Sequence, residues 1–121
     1  MKNVFIYARQ ATKEDNGESL DAQVNEIKQY CKENGYSIIK TLSEYRSGSS
    51  ISSSLLDLNK DDMNIEGIVF TELSRISRNY MEVKQFIKNM KEQGIELIFT
   101  RHEHTDSMEL YFPVEKLVSN L

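Results

Sequence analysis

Residues 67–100, GIVFTELSRISRNYMEVKQFIKNMKEQGIELIFT, decide the fold class. Gly67 to Thr71 (GIVFT) is short, apolar and rich in β-branched and aromatic residues, as a strand buried on both faces should be. Val83, Phe86, Ile87 and Met90 follow at i, i+3, i+4 and i+7, which places them on one face of a helix that Gly94 ends. Ile95 to Thr100 (IELIFT) reads as the next strand. Parallel strands need a crossover of a dozen residues or more, and a helix between two buried strands supplies it.

The same alternation extends towards the N-terminus. Val4 to Ala8 reads as a strand, and Ala11 to Glu18 (ATKEDNGE) as a polar loop. Ser19 is placed to cap a helix, because its hydroxyl can accept from an otherwise unpaired backbone N–H. Leu20, Val24, Ile27 and Cys31 give that helix one apolar stripe, closed by Asn34-Gly35. Tyr36 to Leu42 reads as the second strand, and the serine-rich Ser43 to Ser54 as an exposed loop. Leu55, Leu56 and Leu58 seed a short helix ahead of Asp61-Asp62, and a weakly patterned last helix runs from about Pro113 to Leu121. The expected architecture is α/β, three-layer, with a mostly parallel central sheet flanked by helices. Neither an internal repeat nor a domain boundary is visible.

Size and charge narrow the function. The chain has 121 residues and a mass of 14.1 kDa, the size of one domain. A formal net charge of −4 and a pI near 5.2 argue against coating nucleic acid by bulk charge. No apolar run is long enough to span a bilayer, and MKNVFIYARQ lacks the layout of a signal peptide. The single cysteine, Cys31, excludes an internal disulfide and suits a reducing cytoplasm; its place on the apolar stripe makes it core.

In open α/β sheets, ligands meet the protein beyond the carboxyl ends of the strands. Arg9 to Thr12, the Ser47-Gly48 loop, Leu73 to Asn79 and Arg101 to His104 all belong to that rim. Arg9, Arg75 and Arg78 would converge there, and guanidinium groups offer planar paired donors that match phosphate oxygens. Residues 72–91 hold Arg75, Arg78, Lys84, Lys88 and Lys91 against only Glu72 and Glu82, so an acidic chain is basic at this rim. Solvated surface arginines are the ordinary alternative. Two cations beside a helix N-terminus nevertheless oppose the macrodipole, a small cost that an anion between them would offset. Read without any family resemblance, the rim would bind a nucleotide or other phospho-ligand, but Gly17 alone makes no phosphate-cradling glycine loop. His102, Glu103, His104 and Asp106 do not make a metal site, since no further ligand is apparent.

YARQAT at 7–12, SLDAQ at 19–23, SGS at 47–49 and LSRISRN at 73–79 resemble, in order and spacing, the catalytic domain of the serine site-specific recombinases. These are the resolvases, invertases and large serine integrases. The resemblance runs from about Val4 to Leu121. It implies a serine that attacks a DNA phosphate to give a 5′-phosphoserine link, with arginines stabilising the transition state and neither cofactor nor metal required. Arg9, Arg75 and Arg78 match the family's phosphate-binding arginines, Tyr7 and Gln23 its polar active-site positions, and Ser47 the serine of the mobile loop. The nucleophile position is occupied by Ala11. A methyl group cannot attack phosphorus, so the chain as written is expected to be inactive in cleavage, and Thr12 and Ser19 are poorly placed substitutes. Ser74 stands where much of the family has aspartate, and the loop after Ser47 lacks its usual basic residue, leaving Arg46 as the nearest candidate.

Ala11 fits either an inactivating change in an otherwise active enzyme or a natural loss that leaves a DNA-binding or regulatory protein. The implied partners are double-stranded DNA and further copies of the chain, as a dimer or tetramer on DNA, with neither a membrane nor a small-molecule substrate. Sequence-specific readout is expected from a further C-terminal domain, because no DNA-reading motif is visible here.

Overall fold

The computed structural model describes residues 1–11, 18–58 and 64–101. The helix expected from about Pro113 to Leu121, the His102–Asp106 group and Thr12 lie outside the described residues.

The elements are β1 (Asn3–Gln10), α1 (Leu20–Asn34), β2 (Ser37–Tyr45), α2 (Ser53–Leu56), β3 (Gly67–Phe70), a 3₁₀ turn (Leu73–Arg75), α3 (Tyr80–Glu92) and β4 (Glu96–Phe99). All four strands are parallel, in the order β2-β1-β3-β4. The chain therefore leaves β1 for one neighbour, β2, and returns on the other side as β3. That reversal opens a crevice between the carboxyl ends of β1 and β3.

Alternation along the strands builds two cores. Val4, Ile6, Val69 and Ile98 face α1 and pack on Ile27 and Cys31. Phe5, Tyr7, Ile68, Phe70, Leu97 and Phe99 face the other way, onto Val83, Phe86 and Met90 of α3. Phe70 anchors this larger core, stacked on Phe99 at 5.6 Å and edge-on to Tyr7 at 5.9 Å. The three-layer α/β expectation is met, and Cys31 is buried core.

Local signals set the helix ends. Ser19 Oγ accepts from the Ala22 N–H at 3.1 Å, and Gly35 adopts φ 71°, where a Cβ would be strained. Asn79 caps α3 through the Glu82 N–H at 3.2 Å.

The segment after β2 differs from the sequence reading. β2 runs on to Tyr45, pairing Ser43, Glu44 and Tyr45 with Ala8, Arg9 and Gln10. The following loop is not wholly exposed: Gly48, Ile51 and Ser52 are buried. Ile51 and Leu55 reach back into the α3-side core, which draws the serine-rich chain down over the end of β1.

Candidate active site

β1 outruns β3. Its pairing with β3 ends at Ile6 opposite Val69, so the backbone of Arg9 has no strand partner on that side. Buried peptide groups must be paired, and side chains do it here. Gln23, fully buried on α1, accepts from the Arg9 N–H at 3.2 Å and donates to the Arg9 carbonyl at 2.9 Å. The Arg75 guanidinium donates to the same carbonyl at 3.0 Å. Gln23 also donates to the Glu18 carbonyl at 3.1 Å, tying the start of α1 to the end of β1.

The Arg9 side chain is itself buried, only 2% exposed. It donates from Nε to the Arg75 carbonyl (3.2 Å), from Nη1 to the Arg46 carbonyl (3.1 Å) and from Nη2 to the Ser74 carbonyl (2.8 Å). One guanidinium thus joins the β2 loop to the turn after β3. Burial holds its pKa below the ordinary arginine value, and the positive charges of Arg78, Arg75 and Arg46 push in the same direction against the opposing influence of Tyr7. The charges of three other arginines therefore reach Arg9.

Gly48 lies against this group. A Cβ there would sit 2.8 Å from Arg9 Nη2, so a side chain at this position requires the guanidinium or the loop to shift. Its carbonyl accepts from the Arg78 N–H at 2.7 Å and from Ser77 Oγ at 3.2 Å. The Arg78 residue is exposed. Ser47 is also exposed, with its Oγ accepting from the Ser49 N–H and donating to Ser49 Oγ, both at 3.1 Å. Ala11 follows directly on the last residue of β1 and is half-buried at the edge of this cluster. Among the described residues, Arg46 Nε, Arg75 Nε and Thr71 Oγ1 are buried with no hydrogen-bond partner.

Of the residues singled out in the sequence, Arg9, Gln23 and Arg75 share direct hydrogen bonds, and Arg78 and Ser47 flank Gly48 beside them. Tyr7 lies deeper. Its hydroxyl donates to Glu44 Oε2 at 2.6 Å, and burial first, then this bond, raises its pKa. Among the described residues no group of His, Cys, Asp and Glu could hold a metal ion.

Residues 4–120 match the family model described as the resolvase N-terminal domain. The chain belongs to the resolvase family. Its fold recurs in the N-terminal catalytic domain of TP901-1 integrase, with a TM-score of 0.79 at 20% identity over 98% of this chain and 95% of that one. It recurs in a resolvase family site-specific recombinase from Streptococcus pneumoniae, with a TM-score of 0.76 at 24% identity over 99% and 87%. The C-terminal catalytic domain of ISC1926 TnpA, an IS607-like serine recombinase, gives 0.70 at 23% identity over 97% and 78%. No curated protein matches the chain in sequence.

A set of charges that the sequence reading did not assemble lies on the same rim. Arg101, just beyond β4, donates to Glu26 Oε2 at 3.2 Å, to Glu26 Oε1 at 3.1 Å and to Glu72 Oε2 at 3.0 Å, and also pairs with Glu18. Glu44 was likewise missed as the partner of Tyr7. These groups come from separate elements, and only the strand order brings them together. Among the described residues, no helix is long and apolar enough to cross a membrane.

Proposed function

We propose that this chain is the catalytic domain of a DNA site-specific recombinase whose nucleophile position is held by Ala11. The observation that carries the reading is the gathering of Arg9, Arg75 and the Arg78 backbone around the end of β1, with Ala11 two residues after Arg9 in the chain. With serine at position 11, the hydroxyl oxygen would bond to phosphorus as the bond to the 3′-oxygen breaks. The serine proton is lost and the departing oxygen is protonated to a 3′-hydroxyl. The phosphoryl group stays on the protein as a 5′-phosphoserine ester, and attack by a 3′-hydroxyl reverses the step when strands are rejoined.

The arginines take the part of electrostatic stabilisers, aimed at the extra negative charge on the phosphoryl oxygens. Arg78, exposed at the rim, reaches DNA first. Arg75 stands behind it with an Nε–H that finds no partner among the described residues. Arg9 holds the two loops together through carbonyls, so its own contact with phosphate requires the Arg46–Gly48 segment to lift. As written, with a methyl group at position 11, the chain binds DNA phosphate at this rim without cutting. A copy of the chain on each half-site, and a further DNA-reading domain, belong to the same reading. A second reading rests on Ala11 itself: a recombinase-like protein that binds DNA and regulates without cleaving.

Ala11→Ser separates the two. An active enzyme lacking only its nucleophile gains a covalent protein–DNA adduct on a denaturing gel with sites flanking its own gene. A domain that has lost catalysis more broadly binds those sites and forms no adduct.

A further inference from the structure

Glu18 and Glu72 lie between two arginines and contact them unequally. On the Arg101 side, Glu72 Oε2 is 3.0 Å from Nη1 and Glu18 is within hydrogen-bond distance of Nη2. On the Arg75 side, Glu18 Oε1 is 3.7 Å from Nη2 and Glu72 Oε1 is 3.8 Å from Nε. Those are ion-pair distances too long for hydrogen bonds, and among the described residues Arg75 Nε has no hydrogen-bond partner. The second oxygen of Glu72 is held by Ser74 Oγ at 3.0 Å. Glu26, the third carboxylate on Arg101, also accepts from Thr100 Oγ1, on the Oε2 that Arg101 Nε engages.

Building on the recombinase reading, we propose that Arg101 is a positioning residue for Arg75: it engages Glu18 and Glu72 and so keeps them from capturing the guanidinium that is to receive phosphate. The need follows from the chemistry. A carboxylate bonded to Arg75 would occupy the same paired donors that a phosphate uses and would cancel the charge that attracts it. Arg101 satisfies both carboxylates with a planar, permanently charged head that reaches three acceptors at once, which a lysine ammonium cannot match in geometry. Ser74 contributes by holding the Glu72 oxygen nearer to Arg75. The carboxylates in turn steady Arg75 electrostatically without closing on it.

The test reads Arg75 itself in the unmodified chain, through the NMR signal of its Nε–H during titration with inorganic phosphate. Arg101→Ala should weaken phosphate binding at Arg75 by about five- to tenfold, the scale of one lost close charge interaction at a half-exposed site. Adding Glu72→Gln to Arg101→Ala should restore most of that loss. Adding Glu26→Gln instead makes the same change in net charge on a carboxylate that contacts Arg101 and Thr100, and should restore little. A purely structural role, or a general field effect, would make the two rescues equal, and equal rescue overturns the proposal. So does an unchanged affinity in Arg101→Ala, or the absence of any phosphate-dependent shift at Arg75 in the unmodified chain. If Arg101→Ala does not fold, Arg101→Lys serves in its place, with an expected loss of about two- to threefold for a head that cannot span three carboxylates. An adduct-free Ala11→Ser variant would defeat the recombinase reading while leaving this titration intact, so the two failures are distinguishable.

Discussion

Arg9 and Arg101 sit at the carboxyl ends of two strands of one sheet, and their surroundings are opposite. The Arg9 side chain is buried, and its three hydrogen bonds to described residues all end on backbone carbonyls. Arg101 is at the surface and is bonded to three carboxylates. A carbonyl satisfies a guanidinium N–H without cancelling its charge, so Arg9 keeps a full positive charge beneath the rim. Arg101 is more than neutralised, and its pKa is raised chiefly by the Glu26 bond. The pair shows how an acidic chain maintains a locally positive crevice. Glu18, Glu26 and Glu72 are gathered onto a cation at its border, while Arg9 and Arg75 donate their hydrogen bonds to carbonyls.

Removing Arg9 should have the largest structural effect. Arg9→Met leaves three carbonyls without their donor and uncouples the loop after β2 from the turn after β3. The expected loss is about 2–4 kcal/mol of stability, read as a shift of the urea midpoint. A variant as stable as the parent would mean that Arg9 does not hold these loops together.

Gly48→Ala attacks the same latch from outside. Its Cβ, 2.8 Å from Arg9 Nη2, must displace either the guanidinium or the loop, at about 1–3 kcal/mol. Hydrogen exchange should rise at the Arg78 amide, which bonds to the Gly48 carbonyl.

Arg101→Ala should change stability by no more than about 1 kcal/mol, because its ion pairs are half-exposed. The contrast with Arg9→Met is the point: one arginine holds structure, the other arranges charge. An Arg101→Ala variant as unstable as Arg9→Met would erase that distinction.

The smallest effect is in acid. Arg101 and Thr100 hold the Glu26 carboxyl below its ordinary pKa, with the Arg101 hydrogen bond the leading cause and burial opposing. A depressed folded-state pKa stabilises the protein above the ordinary carboxylate range, and that contribution fades as pH falls through the folded value. In Arg101→Ala the Glu26 carboxyl resonance should titrate closer to an ordinary glutamate, and the acid side of the stability curve should flatten slightly.

The sequence carried the fold well because its signals were local. GIVFT and IELIFT have nowhere to go but the interior, and Ser19 and Gly35 mark the ends of α1 by side-chain chemistry alone. The serine-rich stretch misled because burial of Gly48 and Ile51 depends on Arg9 and on the α3-side core, both far away in the chain. β2 was read as too short for a related reason. Ser43, Glu44 and Tyr45 have a polar pattern, but parallel pairing with Ala8 to Gln10 extends the strand through them. The candidate arginines were legible as motif residues. Their division into a buried latch, a central Arg75 and an exposed Arg78 was not, and neither was the Arg101 cluster, whose members are joined only by the order β2-β1-β3-β4.

The central claim is that Ala11 holds the nucleophile position of a phosphoryl-transfer site at the β1/β3 crevice, so that a hydroxyl there would take up phosphate once DNA engages the arginines. The most direct measurement is mass spectrometry of the Ala11→Ser chain after incubation with its DNA site and nuclease trimming. The account predicts a nucleotide joined through its 5′-phosphate to the peptide containing position 11. A nucleotide on any other residue, or a chain that binds the site and remains unmodified, would contradict it.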